Sequence, residues 1–290
     1  MRPLQINLIL ILLFSLKMEL AMAFEFQCAH EKDTAPALDQ TADALFQQAR
    51  AQSKERIPNW TQVAELYQQA VEQDHWKAMH NLAELYLNGK GVTKDTNKAI
   101  DLYSRMIELE VPLGFYDMSV MVQRGIGVSQ SDRDAMLFLL NAADKGNPNA
   151  QTQIGIIYLY ERRDPSKGLP YLHCAAEQDF ANANLELARY YKILDRNYPV
   201  ALHYYQRAAS LGEGKGALAI EDVFRHGELG YEKNDSVSDA YNEISSTLYN
   251  NPDVRFPNLA TDHPLPPHPI QGYHADKDIN WQPSGNEEDY

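Results

Sequence analysis

Nine histidines, two cysteines and 40 acidic side chains give this chain the means for acid–base, nucleophilic or metal chemistry, yet their spacing assembles little of it. There is no Gly-x-Ser-x-Gly elbow to present a serine nucleophile and no His-Glu-x-x-His to hold zinc. The histidines are scattered without metal-ligand spacing. Cys28 with His30, or His173 with Cys174, could be forced into a metal site, but adjacent residues on a helix point in different directions. Glu287 and Glu288 sit in a polar terminus and read as solubilising charge. Two glycine pairs, Gly89-Lys90-Gly91-Val92 and Gly125-Ile126-Gly127-Val128, suggest phosphate-cradling loops at first sight. Neither follows a strand or ends in Gly-Lys-Ser/Thr, so both read better as helix terminators. No catalytic residue, metal or cofactor is expected.

The cysteines offer structural chemistry instead. Cys174 lies six places past Gly168, and the equivalent places elsewhere hold Gln69, Arg105, Asn141 and Arg207. All four are polar, so the position normally faces solvent. An oxidising compartment would permit Cys28 and Cys174 to pair. A Cys28–Cys174 disulfide would pin the N-terminal segment onto the rest of the chain, with a loop-entropy gain of up to roughly 5 kcal/mol. Two free thiols are the alternative.

The elements that must position these residues recur. Ala78-Leu82-Ala83-Tyr86, Gly114-Met118-Ser119-Val122, Ala150-Ile154-Gly155-Tyr158 and Ala183-Leu187-Ala188-Tyr191 repeat one phrase at separations of 36, 36 and 33 residues. Offsets 0, 4, 5 and 8 fall on one helix face, with small residues at 0 and 5 admitting a close neighbour. A second phrase follows each first one, as in Ala99-Leu102-Tyr103 and Ala201-Tyr204-Tyr205. The period matches one helix–turn–helix, so the chain reads as a stack of about five hairpins and a sixth, less regular pair ending near Tyr249. The hairpins opening at Ala150 and Ala183 lack the Gly-x-Gly turn, which accounts for their shorter period. Seven prolines between Pro252 and Pro283 then disfavour helix, and an extended tail is expected over residues 250–290. Its Val254, Phe256, Leu259, Leu265, Ile270, Tyr273 and Trp281 favour packing back along the helices.

The N-terminus reads as an export signal. Arg2 precedes an apolar stretch too short to span a bilayer, and Ala21-Met22-Ala23 is a small-x-small cleavage site. Cleavage after Ala23 would remove Arg2, Lys17 and Glu19, a net +1, and move the formal charge from −14 to −15. A charge of that size disfavours nucleic acid and membrane surfaces as partners. A protein partner is expected.

The motif Ala-x-x-x-Leu-(Ala/Gly)-x-x-Tyr, then Gly-x-Gly-Val, then Lys-Ala-x-x-Leu-Tyr resembles the Sel-1-like repeat, a relative of the tetratricopeptide repeat. Ala78, Leu82, Ala83, Tyr86, Gly89, Gly91, Val92, Lys98, Ala99, Leu102 and Tyr103 carry it almost completely. The resemblance implies an all-α, right-handed αα-hairpin solenoid over residues 24–249. By analogy with tetratricopeptide grooves, the inner face would include Lys77, His80, Glu84, Tyr116, Gln123, Thr152, Arg189 and Lys192 as partner contacts. Phe26-Gln27-Cys28-Ala29-His30-Glu31, Tyr116-Asp117-Met118 and Phe256-Pro257-Asn258-Leu259 resemble a group of exported bacterial Sel-1-like proteins. Some of that group act as periplasmic immunity proteins against type VI secretion phospholipase effectors. That resemblance implies a periplasmic protein that binds and neutralises such a toxin. An envelope scaffold or regulatory adaptor is the alternative.

Overall fold

The computed structural model describes residues 26–269; the leader expected at residues 1–23, and Ile270, Tyr273 and Trp281 of the expected tail, lie outside the described residues. Helices α1 (Glu31–Thr34), α2 (Gln40–Ser53), α3 (Trp60–Val71), α4 (Trp76–Asn88), α5 (Thr96–Glu108), α6 (Pro112–Arg124) and α7 (Asp132–Asp144) make up the first half. The second half holds α8 (Pro148–Ile156), α9 (Pro165–Glu177), α10 (Ala181–Ile193), α11 (Tyr198–Ser210), α12 (Gly214–His226), α13 (Asp235–Asn250) and α14 (Leu259–Asp262). From α2 to α13 these form six antiparallel hairpins, each packed on the next, so the fold is an α-solenoid.

Local chemistry sets the helix limits. Side chains of Asp39, Asn59, His75, Asp95, Ser131, Asn147, Asp164, Asn197 and Asn234 each accept from a backbone N–H in the first turn of the helix they precede. Gly89, Gly125 and Gly227 close α4, α6 and α12 in the left-handed conformation. Gly91 is needed for space as well as for its φ of 72°: a Cβ there would lie 2.1 Å from the Trp60 carbonyl oxygen, so the turn rests directly on the start of α3. In the two shorter repeats the turn is rebuilt without glycine. Helix α8 runs into a π-helical segment, Ile157–Glu161, and Arg163 takes φ 54°; the α10–α11 turn uses Arg196 at φ 58°.

The small residues of the repeat phrase do what their spacing predicts. Ala78, Ala83, Gly114, Ser119, Ala150, Gly155, Ala183, Ala188 and Gly216 are all buried where helices cross. Three apolar clusters fill the layer between inner and outer helices: one around Leu82, Met79 and Tyr103, a second around Ile154 and Leu139, and a third around Leu187, Leu202 and Phe224.

Segments at both ends strap this array. Residues 26–38 run from α9 back to the start of α4. Along that path Gln151 donates to the Ala29 carbonyl (2.9 Å), Asn147 donates to the Glu31 carboxylate (2.9 Å), and the Glu31 N–H donates to Gln178 (2.9 Å). Trp76 Nε1 donates to the Pro36 carbonyl at the far end. At the other terminus Leu259 is buried in the third cluster, with Val254, Phe256 and Leu265 packed around it. Gln206 and Tyr241 both donate to the His263 carbonyl, each at 3.0 Å.

Candidate partner-binding groove

The first helix of each hairpin, α4, α6, α8 and α10, lines one side of the array, and polar residues at offsets 2 and 3 of the repeat phrase meet there. Asp117 Oδ2 lies 2.7 Å from Nδ1 of His80, and Gln153 Nε2 donates to the Tyr116 hydroxyl at 3.0 Å. Each of these joins offset 3 of one repeat to offset 2 of the preceding one. One hairpin earlier, Asn81 at offset 3 donates to the Tyr67 hydroxyl at 2.9 Å. Polar pairs therefore tie α4 to α6 and α6 to α8, and a third ties α4 to α3, the second helix of the first hairpin. This ladder ends at the shortened repeats, where Glu186 pairs instead with Arg189 of its own helix.

Two clefts open along this ladder. The larger, about 600 Å³, is lined by Glu84, Tyr103, Tyr116, Asp117, Val120 and Arg124 among others. The smaller, about 340 Å³, is lined by Arg50, Lys54, Trp60, Tyr67, Asn81 and Lys90, and shares Glu84 and Asn88 with the first. Together they make one groove along α4. Lys90 sits 3.4 Å from the centre of the Trp60 ring, a cation–π contact at the groove edge.

The floor is electrostatically loaded. Burial lifts the Asp117 carboxyl above its ordinary range, against the opposing pull of His80. Burial alone would lower His80, but the hydrogen bond and charge of Asp117, helped by Glu84 and Glu31, leave it raised. Burial, then the charges of Asp117 and Glu84, push the Tyr103 hydroxyl far up, so it keeps its proton and donates a hydrogen bond to Glu84 Oε1 at 2.9 Å. Aromatic faces beside buried hydrogen-bonded charge, open to solvent along one edge, are what a protein-recognition surface uses. What the groove offers chemically is shape, hydrogen bonds and charge.

The expected contact residues are distributed unevenly. Glu84 and Tyr116 come together in the lining of the larger cleft; His80 is not in that lining but is held 2.7 Å from Asp117, which is. Lys77 is exposed at the start of α4, and Gln123 is exposed near the end of α6. Arg189 and Lys192, on α10, line neither cleft. Thr152 is corrected: it is 1 % exposed and its hydroxyl donates to the Pro148 carbonyl at 2.7 Å, so it closes a helical turn and does not face a partner. Sequence reasoning missed Asp117, Tyr103, Arg124 and the Arg50, Lys54 and Lys90 edge. A signal for the first existed, since offset 3 is polar in four successive repeats (Asn81, Asp117, Gln153, Glu186).

Cys28 and Cys174 are joined across 146 residues of sequence. Cys174, at a position that elsewhere faces solvent, is 2 % exposed because the N-terminal strap covers it. Gly146 makes that path possible: at φ 98°, a Cβ there would come within 2.6 Å of the His30 carbonyl carbon. Cys28, His30 and Cys174 lie close enough to suggest a metal site, but both sulfurs are engaged in the disulfide. Among the described residues no helix is long and apolar enough to cross a membrane.

Known proteins give this geometry a context. The Sel1 repeat model matches residues 76–111, 116–147, 148–180 and 181–213. Immunity protein PA5088 from Pseudomonas aeruginosa is similar in structure, with TM-score 0.77 and 44% identity, covering 88% of this chain and 99% of that one. Immunity protein Pa5087 from the same organism gives TM-score 0.72 and 41% identity, covering 89% and 100%. Among curated proteins, chitin synthase regulatory factor 3 of Schizosaccharomyces pombe is 28% identical over 153 residues, which are 48% of this chain and 16% of that protein. The chain thus spans a small part of that curated relative, and nearly all of the two solved ones. These likenesses point to a non-enzymatic, protein-binding scaffold. The chain belongs to the Sel1 repeat family.

Proposed function

We propose that this chain is a periplasmic immunity protein, exported with cleavage after Ala23, that binds a type VI secretion phospholipase effector and neutralises it by protein–protein contact. The observation that carries this reading is the 44% identity to immunity protein PA5088 over 99% of that chain. The groove along α4 and α6 supplies a surface of the right kind, with Glu84, Tyr103, Tyr116 and Asp117 at its centre. The apolar leader and the Cys28–Cys174 bond both suit an oxidising compartment outside the cytosol. A second reading, a regulatory adaptor of the envelope, draws on the likeness to chitin synthase regulatory factor 3, at 28% identity over 48% of this chain.

Cell fractionation with mass spectrometry of the N-terminus tests the location. A mature chain beginning at Phe24 in the periplasmic fraction is expected, and an intact residue 1–23 segment in the cytosol would remove the periplasmic role. Affinity capture from envelope extract tests the partner. Recovery of a lipolytic enzyme supports immunity, whereas recovery of envelope assembly proteins alone favours the adaptor.

A further inference from the structure

One ion pair in the structure joins places that the stacking of hairpins does not bring together locally. Lys54 Nζ lies 2.8 Å from Asp253 Oδ2, across 199 residues of sequence. Lys54 caps the C-terminus of α2, at the edge where the first hairpin turns. Asp253 follows α13, at the opposite edge, where the last hairpin leaves the array. The end of α2 and the segment after α13 therefore meet at this pair.

The Asp253 carboxylate is presented on a built turn. The Asp253 N–H donates to the Asn251 side chain (3.2 Å), and Arg255 donates to the Pro252 and Val254 carbonyls (2.8 and 2.7 Å). Three residues past Asp253, the Phe256 N–H donates to the Ser210 carbonyl of α11 at 2.9 Å, which fixes the turn to the fifth hairpin. Lys54 in turn lines the smaller cleft with Arg50, Trp60 and Lys90. The hydrogen bond and charge of Lys54, with Arg255 and Arg50 behind it, hold the Asp253 carboxyl below its usual range.

We propose that Lys54 and Asp253 form a latch that closes the array on itself and limits entry to the groove, so that a partner must open the latch to seat. Both side chains are largely exposed, at 53% and 76%, so the pair is weak and screened by salt. A weak latch suits gating: it biases the closed form without locking it. The gating step rests on the groove being the binding surface; the closure itself does not.

Zero-length carbodiimide coupling of the mature protein tests closure directly. At low salt a Lys54–Asp253 crosslinked peptide is expected, falling several-fold at high salt and absent in Asp253→Asn. Small-angle scattering should show Lys54→Glu and Asp253→Lys both expanded, and the charge-swapped Lys54→Asp/Asp253→Lys protein compact again. Absence of the crosslink, or single variants with unchanged dimensions, would overturn the latch whatever the protein binds. Gating is read from association with the lipolytic enzyme recovered from envelope extract. Both single variants should associate faster, by up to about fivefold, the ceiling that an exposed pair supports. Long-range electrostatic steering would move these two oppositely charged variants in opposite directions, and that result, or equal rates throughout, would overturn the gating.

Discussion

At the scale of single residues, a buried histidine and a half-buried one make opposite pH terms. Burial pushes His173 down to about 4, with the Tyr191 and Tyr204 hydroxyls 3.4 and 3.3 Å from its ring nitrogens. A histidine whose folded pKa lies below its unfolded value stabilises the fold above about pH 6.5 and loses that contribution as pH falls towards 4. Between pH 7 and pH 5 this amounts to about 2 kcal/mol. Denaturant unfolding of His173→Gln at both pH values should show that much less acid sensitivity than the parent; an unchanged slope would refute the assignment. His80 is raised, so its contribution is present below pH 6.5 and fades as pH rises through its folded value. Neither role was legible from residue type. A lone histidine in a helix reads the same whether an aromatic cage or a carboxylate surrounds it, and only the fold brings Asp117 to His80.

Helices and turns were the most legible level, because the repeat phrase states which positions cross. Gly155 and Gly168 show why glycine stands there: a Cβ on Gly168 would lie 2.8 Å from Leu159 Cγ and 2.9 Å from the Gly155 carbonyl oxygen, where α8 crosses α9. Gly168→Ala should therefore cost about 1–3 kcal/mol by overpacking, measured by urea unfolding. An equal or more stable variant would mean that the crossing relaxes freely. The polar ladder is tested by a double-mutant cycle on Tyr116→Phe and Gln153→Leu, with a coupling of about 1 kcal/mol expected and additivity contradicting it. Less legible were the strap and the two clefts. Cys174 occupies a position that faces solvent in the other repeats, so periodicity argued for exposure. The covering segment, residues 26–38, carries no repeat pattern of its own, and its contacts with Gly146, Asn147 and Gln178 are long-range. Thr152 keeps the groove spacing of Tyr116, but its hydroxyl is satisfied by the Pro148 carbonyl of its own helix, which spacing does not show.

For the whole molecule, the straps convert a stack of neighbour contacts into a closed object. The N-terminal strap ties the fourth hairpin to the start of the second through Cys28, Glu31 and Pro36. Cys28→Ser should lower unfolding free energy by about 2–5 kcal/mol, and reductant should weaken the parent while leaving the variant unaffected. Equal stability of parent and variant under oxidising conditions would show that the pair does not form in the mature protein. The N-terminal strap holds the second and fourth hairpins, so the walls of the groove along α4 and α6 are ordered before a partner arrives, whether or not the proposed Lys54–Asp253 latch is closed.

The most direct measurement of the proposed immunity role is a titration of lipid hydrolysis by the lipolytic enzyme captured from envelope extract with the mature chain and with Tyr116→Ala/Glu84→Lys. Lipid hydrolysis should fall to background at one equivalent of parent protein, and the groove variant should need at least tenfold more, about 1.4 kcal/mol of lost affinity. Full hydrolysis at saturating parent protein, or equal inhibition by the folded groove variant, would contradict it.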